Sequence, residues 1–320
     1  MRFKDIKGQQ EALSTIQGYI SFGRMQGGYI FSGPKAVGKK MAAGAVAATL
    51  NCLEGGLDAC GVCPSCLKAQ KNEHPDIHLI DDPETDSVKI EDIRSLQREI
   101  SLRAYEGRYK VFIINNAHNL TAEASNALLK VLEEPPPSSV IILISCRMQL
   151  LFKTVISRCK TVRFSALKRN QLEQILVREY TLLPEQAHFL AYFTQGAIGE
   201  ALALKDTDII REKNNIIDCY AVSKSRHEDG SSCLTKDNLP FGLNVLAGWF
   251  RDIYLLKTGV PHSEMVNIDR KEELLKEMSR FSFLDLEEIF NSISQAFSYR
   301  EQNVNTKLLL ADLKVELCRG

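Results

Sequence analysis

The chain has 320 residues, 44% of them hydrophobic and 25% charged, with 40 basic side chains against 40 acidic ones and a formal charge of zero. That length favours two or three domains and is ample for a sizeable core. The neutral balance argues against a protein that holds DNA by itself through a broad basic face, although a partner can supply that charge. No apolar run approaches the roughly 20 residues of a membrane span, and Met1-Arg-Phe-Lys-Asp-Ile-Lys7 lacks the apolar core of a signal peptide. A cytoplasmic protein with no membrane partner is expected.

Ile6, Leu13, Ile16, Ile20 and Phe22 form an imperfect helical stripe ahead of a short strand, Tyr29 to Ser32. The strand runs into Gly33-Pro-Lys-Ala-Val-Gly-Lys-Lys40. Gly33 and Gly38 bracket four residues and Lys39 follows, as a phosphate-binding G-x-x-x-x-G-K-[ST] loop requires, but Lys40 stands where a hydroxyl should meet Mg²⁺. Met41 to Leu50, rich in alanine, reads as a tightly packed helix. A strand, a glycine loop and a helix belong to an α/β sheet.

Nine cysteines are present, four of them between Cys52 and Cys66. In a cytosolic chain such a cluster points to metal before disulfides. Cys52, Cys60, Cys63 and Cys66, in two overlapping C-x₂-C knuckles with the remaining thiol one short loop away, suit a tetrahedral Zn²⁺ site with no position left for water. Gly55, Gly56, Gly61 and Pro64 mark turns rather than core, which weighs against four merely buried thiols. A structural zinc without a catalytic role is expected. Cys146, Cys159, Cys219, Cys233 and Cys318 are scattered.

Ile77 to Ile80 reads as a second strand and Asp81 to Asp86 as an acidic turn, followed by Ile90, Ile93, Leu96 and Ile100 at helical spacing. Lys110 to Ile114 is a continuous apolar run of the kind found in buried parallel strands, and it ends in Asn115-Asn116-Ala-His118. A P-loop ATPase needs an acid here to hold Mg²⁺ and a second to polarise water. Both are amides, and an amide offers neither a charge nor a base. With Lys40, each place where hydrolysis needs an oxygen ligand or a base has been neutralised or made positive. Hydrolysis in this site is not expected.

Thr121 precedes a helical stripe of Ala124, Ala127, Leu128, Val131 and Leu132 that Pro135-Pro-Pro137 terminates. Val140 to Ser145 is a further buried strand and Thr161 to Phe164 closes the sheet. Cys159 has no evident histidine or acid beside it and reads as a packing residue. From Leu167 the pattern is helical: Leu172, Ile175, Leu176 and Val177, then a helix opened by Pro184, then one opened by Gly196-Ala-Ile-Gly-Glu-Ala201. Ser223 to Ser232 reads as an exposed loop between helical segments carrying Ile209 to Tyr220 and Phe241 to Leu256, with Trp249 in the core. The tail, Leu284 to Leu317, is again helical.

Asn126-Ala-Leu-Leu-Lys-Val-Leu-Glu-Glu-Pro-Pro136 and Thr154-Val-Ile-Ser-Arg-Cys159 resemble signature motifs of bacterial clamp-loader subunits of the AAA+ class, and the cysteine module after the loop helix is similar to theirs. The resemblance covers residues 1 to about 205, with weaker support beyond. It implies an α/β P-loop NTPase-like (AAA+) domain over residues 1–165 with the zinc module at 52–66, a small three-helix lid over 166–207, and an all-α collar over 208–320. The family's motor subunits keep a full loop and an acidic strand end, and this chain departs at both. What the resemblance then implies is a non-hydrolysing subunit of the replicative clamp loader of DNA polymerase III. Its partners would be ATPase motor subunits of the gamma/tau type and a delta-type subunit in a hetero-pentamer, the sliding clamp, and primed DNA reached through the complex.

By the same resemblance Arg158 is an arginine finger serving the ATP of the adjacent motor subunit, since a guanidinium forks two hydrogen bonds onto phosphate oxygens. Ser145 stands where the family has a γ-phosphate sensor, with a surface hydroxyl as the plainer alternative. Gly199 stands where active relatives carry a phosphate-contacting arginine. The alternatives are an active ATP-hydrolysing motor subunit that tolerates Lys40, Asn115 and Asn116, and a zinc DNA-binding module, which the neutral charge disfavours. Binding of ATP or Mg²⁺ in the chain's own loop is left open: Gly33, Gly38 and Lys39, with Lys35 and Lys40, can cradle a phosphate without metal, or the loop is filled by the protein's own side chains.

Overall fold

The computed structural model describes residues 1–81, 88–222, 233–236, 238–301, 313, 314 and 317. The polar stretch Ser223 to Ser232 and the tail from Asn303 to Asp312 lie outside the described residues. The chain divides into two compact units, Met1–Leu167 with Gly196–Glu200, and Lys168–Gln195 with Ala201–Gly320.

The first unit is built on a five-stranded parallel sheet. Its strands are β1 (Gly27–Ser32), β2 (Ile77–Ile80), β3 (Lys110–Ile114), β4 (Ser139–Ser145) and β5 (Cys159–Arg163), in the spatial order β2-β3-β4-β1-β5. The helices are α1 (Gln10–Ser21), α2 (Lys39–Leu50), α3 (Pro64–Gln70), α4 (Ile90–Ile100), α5 (Ala122–Glu133) and α6 (Lys153–Ile156). Successive strand residues serve opposite faces. Tyr29, Phe31, Val140 and Ile142 pack with Ile16 of α1 and the alanines of α2. Ile30, Phe112, Ile141 and Leu143 pack with Ile93 and Leu96 of α4 and Leu128 of α5. Cover on both faces is why these strands read as unbroken apolar runs. Ala42, Ala43, Ala45 and Ala47 are fully buried, so α2 lies close against the sheet and holds the loop before it.

Local chemistry sets the helix ends. Thr121 caps α5, its Oγ1 accepting from Ala124 N at 3.2 Å. The chain then meets Pro135, which cannot continue a helix.

Asp76, fully buried just before β2, ties a distant turn to the sheet. Its carboxylate accepts from the backbone N–H of Tyr105, Glu106 and Gly107 at 2.7, 2.9 and 2.7 Å. Burial pushes the Asp76 carboxyl up, but these three N–H donors together outweigh it and hold the group below the usual carboxylate range. A depressed carboxylate stabilises the fold above its unfolded pKa, and that contribution is lost as pH falls through the folded value. Asp76→Asn, which replaces charge-assisted bonds with one amide oxygen, is expected to cost about 3 kcal/mol. Urea unfolding at pH 7 should show this, with the gap to the parent chain closing as the pH drops below about 4.

The second unit is helical among its described residues: α7 (Arg169–Tyr180), α8 (Pro184–Phe193), α9 (Ile198–Leu204, which begins in the first unit), α10 (Ile209–Ile217), α11 (Leu239–Lys257), α12 (Lys271–Met278) and α13 (Phe283–Glu301). Trp249 is fully buried. Two buried ionisable side chains find partners. The Lys213 ammonium donates to both Asp269 oxygens at 2.6 Å, and Asp252 accepts from Val266 N, Asn267 N and Asn267 Nδ2. Cys219 and Cys233, which sequence reasoning leaves among the scattered thiols, form a disulfide. Cys318 lies outside the described residues. Among these residues no helix is long and apolar enough to cross a membrane.

Candidate functional site

The glycine loop leaves β1 at the carboxyl end of the sheet and closes on α2. Gly33 has φ +147° and lies so close to β5 that a Cβ there would sit 2.1 Å from Phe164 O, while Gly38 has φ +100°. The Lys39 ammonium folds back into the loop, donating to Gly33 O at 2.7 Å and to Pro34 O. Burial lowers its pKa from the ordinary lysine value. Gly38, Lys39, Lys40, Asn115, Asn116 and Gly199 share the lining of one open pocket of about 640 Å³.

Lys40 does not point into empty space. Its Nζ is 2.5 Å from Asp81 Oδ2, and the other oxygen of Asp81 accepts from Asn115 Nδ2 at 2.9 Å. An ammonium, a carboxylate and an amide thus close on one another where a P-loop ATPase assembles metal ligands. Asp81 comes there because β2 and β3 are parallel and pair Ile80 with Ile114, so the residues following both strands emerge side by side.

Gly199 N donates to Ala36 O at 2.8 Å. A Cβ at Gly199 would fall 2.7 Å from that same oxygen, so any side chain here, arginine included, would have to displace the loop. Ser145, open in sequence terms to reading as a surface hydroxyl, is buried. Its Oγ accepts from Arg147 N at 3.1 Å and its carbonyl accepts from Gly33 N at 3.2 Å. Cys146 Sγ lies 3.5 Å from His118 Nε2 beside the same pocket.

Cys52, Cys60, Cys63 and Cys66 come together, their Sγ atoms all within 4.8 Å of one another. A tetrahedral zinc with bonds of about 2.3 Å needs sulfurs about 3.8 Å apart; Cys60 and Cys66 are separated by 3.9 Å. Backbone N–H groups of Cys60, Cys63 and Cys66 point at the sulfurs of Cys52, Cys60 and Cys63. The module has little apolar packing to hold it. Leu53, Leu57, Val62 and Leu67 are exposed by 62, 48, 75 and 46%, and the cluster's interior consists of alanines and the thiols themselves. The donor set and this inverted packing both fit a metal. Asp58 fastens the module to the amino terminus, accepting from Phe3 N at 2.8 Å.

Arg158 lies between α6 and β5, at the amino end of the sheet. Cys159 pairs with Gly28 and Arg163 with Ser32, so Arg158 is level with the start of β1 and the glycine loop with its end. At about 3.3 Å per residue, the intervening strand separates them by roughly 17 Å or more. The Arg158 guanidinium meets Glu133, the last residue of α5, with Nη2 2.6 Å and Nε 2.9 Å from Oε1. Nearby Cys159 is held by burial at a pKa pushed up to about 12, which suits packing and not nucleophilic attack.

A family model described as "DNA polymerase III, delta subunit" matches residues 8–168, and one described as "DNA polymerase III, delta subunit, C terminal" matches residues 220–317. The DNA polymerase III subunit delta' of Bacillus subtilis is 30% identical over 98% of this chain and 97% of its own length. The chain belongs to the delta-prime family of DNA polymerase III clamp-loader subunits. Subunit tau of Escherichia coli is 36% identical over 65% of this chain, a match that spans 33% of tau. The gamma subunit-related protein of Thermotoga maritima superposes with a TM-score of 0.48 at 18% identity, over 96% of this chain and 98% of that one. Membership of this family makes the chain a DNA-replication protein.

Sequence reasoning missed Asp81, which reads only as the start of an acidic turn, and Glu133, which reads only as part of a motif. No periodicity marks either. The signal is spatial: strand register for Asp81, and the meeting of a helix end with an adjacent strand for Glu133.

Proposed function

We propose that the chain is a non-hydrolysing member of the replicative clamp loader. In this reading it assembles with gamma/tau-type motor subunits and a delta-type subunit in a hetero-pentamer, presents Arg158 to the ATP of the adjacent motor subunit, and so helps load the sliding clamp onto primed DNA. It works in the cytoplasm, with the helices of residues 166–207 as lid and those from 208 as collar.

The observation that carries this is the separation of Arg158 from its own loop by the length of β1. A guanidinium at the far end of the sheet cannot serve a nucleotide in its own chain and is free to serve another's. The loop itself is occupied in kind. Lys40 supplies a cation to Asp81, and among the described residues no acid lines the pocket. The Lys40 ammonium and the Asp81 carboxylate neutralise each other there, so a metal ion could use that carboxylate only by displacing the ammonium from it. Asn116 offers no base for water. Cys52, Cys60, Cys63 and Cys66 hold a structural Zn²⁺, which supplies cross-linking and no chemistry.

The isolated chain is expected to hydrolyse no ATP, and labelled ATP should bind no more tightly with Mg²⁺ than without it. Metal-dependent tight binding together with turnover would instead make this a motor subunit.

A further inference from the structure

The Arg158 guanidinium has no edge to spare. Nε and Nη2 both approach Glu133 Oε1, at 2.9 and 2.6 Å, while Nη1 donates to Thr154 O at 2.9 Å and to Ser157 Oγ at 3.3 Å. Arginine recognises phosphate by a pair of parallel N–H bonds from one edge of its fork. One edge is taken by Glu133, and Nη1 of the other is committed to α6. The Nε–Nη2 edge can grip a phosphate by two bonds once Glu133 lets go.

We propose that Glu133 is a latch on Arg158: its carboxylate stands in for phosphate in the free chain and must be displaced by the neighbour's nucleotide. This rests on the reading of Arg158 as a group that acts on an adjacent subunit's ATP. The latch is weak by construction. The two side chains are 34 and 50% exposed, and exposed ion pairs contribute little, so holding the guanidinium back reduces its availability by roughly two- to fivefold. A doubly charged pair of phosphoryl oxygens outcompetes a single carboxylate, while water alone does not. Glu133 is last in α5, half-exposed, and has room to swing aside. The arrangement keeps an exposed fork from engaging stray anions before assembly.

The test uses Glu133→Gln, which keeps the shape and removes the charge, and Glu133→Asp, which keeps the charge and shortens the reach. In the isolated full chain, the rate at which phenylglyoxal modifies Arg158, followed by peptide mass spectrometry, should rise two- to fivefold in both variants. In the assembled complex, ATP turnover per site should rise by a similar factor through kcat, with KM little changed. A structural defect would lower kcat. Turnover that falls in Glu133→Gln as it does in Arg158→Ala would make Glu133 a support and overturn the latch, as would modification rates equal to those of the parent chain. Faster modification in the Glu133 variants, combined with full turnover in Arg158→Ala, would show that Glu133 covers Arg158 in the free chain but overturn its displacement by a neighbour's nucleotide, together with the role assigned to Arg158.

Discussion

Replacing Arg158 with Ala is expected to slow ATP hydrolysis at the adjacent motor site by about 10³- to 10⁵-fold, the range over which a finger inserted from a neighbour accelerates phosphoryl transfer. Assembly should survive, because the substitution removes from the free chain a partly exposed ion pair with Glu133, worth at most about 1 kcal/mol, and two exposed hydrogen bonds to Thr154 O and Ser157 Oγ. Single-turnover hydrolysis in the reconstituted complex is the measurement that isolates the affected site, since steady-state turnover includes sites that Arg158 does not reach. Arg158→Lys should recover only a small part of the loss: an ammonium keeps the charge but cannot fork onto two oxygens. Unchanged single-turnover rates in Arg158→Ala would end the assignment.

Stripping the metal from Cys52, Cys60, Cys63 and Cys66 is the second large effect. Structural zinc in small peptide modules contributes about 10–16 kcal/mol of apparent binding energy, which bounds the cost from above. Here the module is also tied to its unit through Asp58 and through Ser65 Oγ, which donates to Asn51 O at 2.7 Å, so part of its order remains without metal. A loss of about 3–5 kcal/mol is expected, equivalent to a fall in Tm of about 10 °C for a unit of this size. Hydrogen exchange should localise the damage to residues 52–70, where four large aliphatic side chains face solvent and cannot hold the fold alone. The ligands are thiolates, so metal should leave more readily as pH falls. A freshly purified chain carrying well under one zinc would remove this expectation.

The central strands β1, β3 and β4 were legible because they are buried throughout, which leaves runs such as Val111 to Ile114 without a polar interruption. The glycine loop was legible because only glycine allows β1 to turn under β5 at Gly33. The four clustered cysteines were legible from spacing alone. What lay beyond the sequence depends on register and on long-range meeting. Asp81 beside Lys40 and Asn115 requires knowing that Ile80 pairs with Ile114. The bond between Cys219 and Cys233 joins two residues that no local pattern distinguishes from Cys146 or Cys159. Gly199 shows a subtler limit. As a letter it reads as a missing arginine, whereas in three dimensions it is a place where the backbone itself touches the loop and no side chain fits.

All five strands run in one direction, so this unit has a head and a tail, with the glycine loop at one pole and Arg158 at the other. In a head-to-tail row, each contact joins the tail of one chain to the head of the next. On the proposed function, a member whose head is closed by Lys40 and Asp81 while Arg158 serves a neighbour would be a donor that does not receive. Each such member leaves one junction of the row silent and gives the assembly a fixed first place.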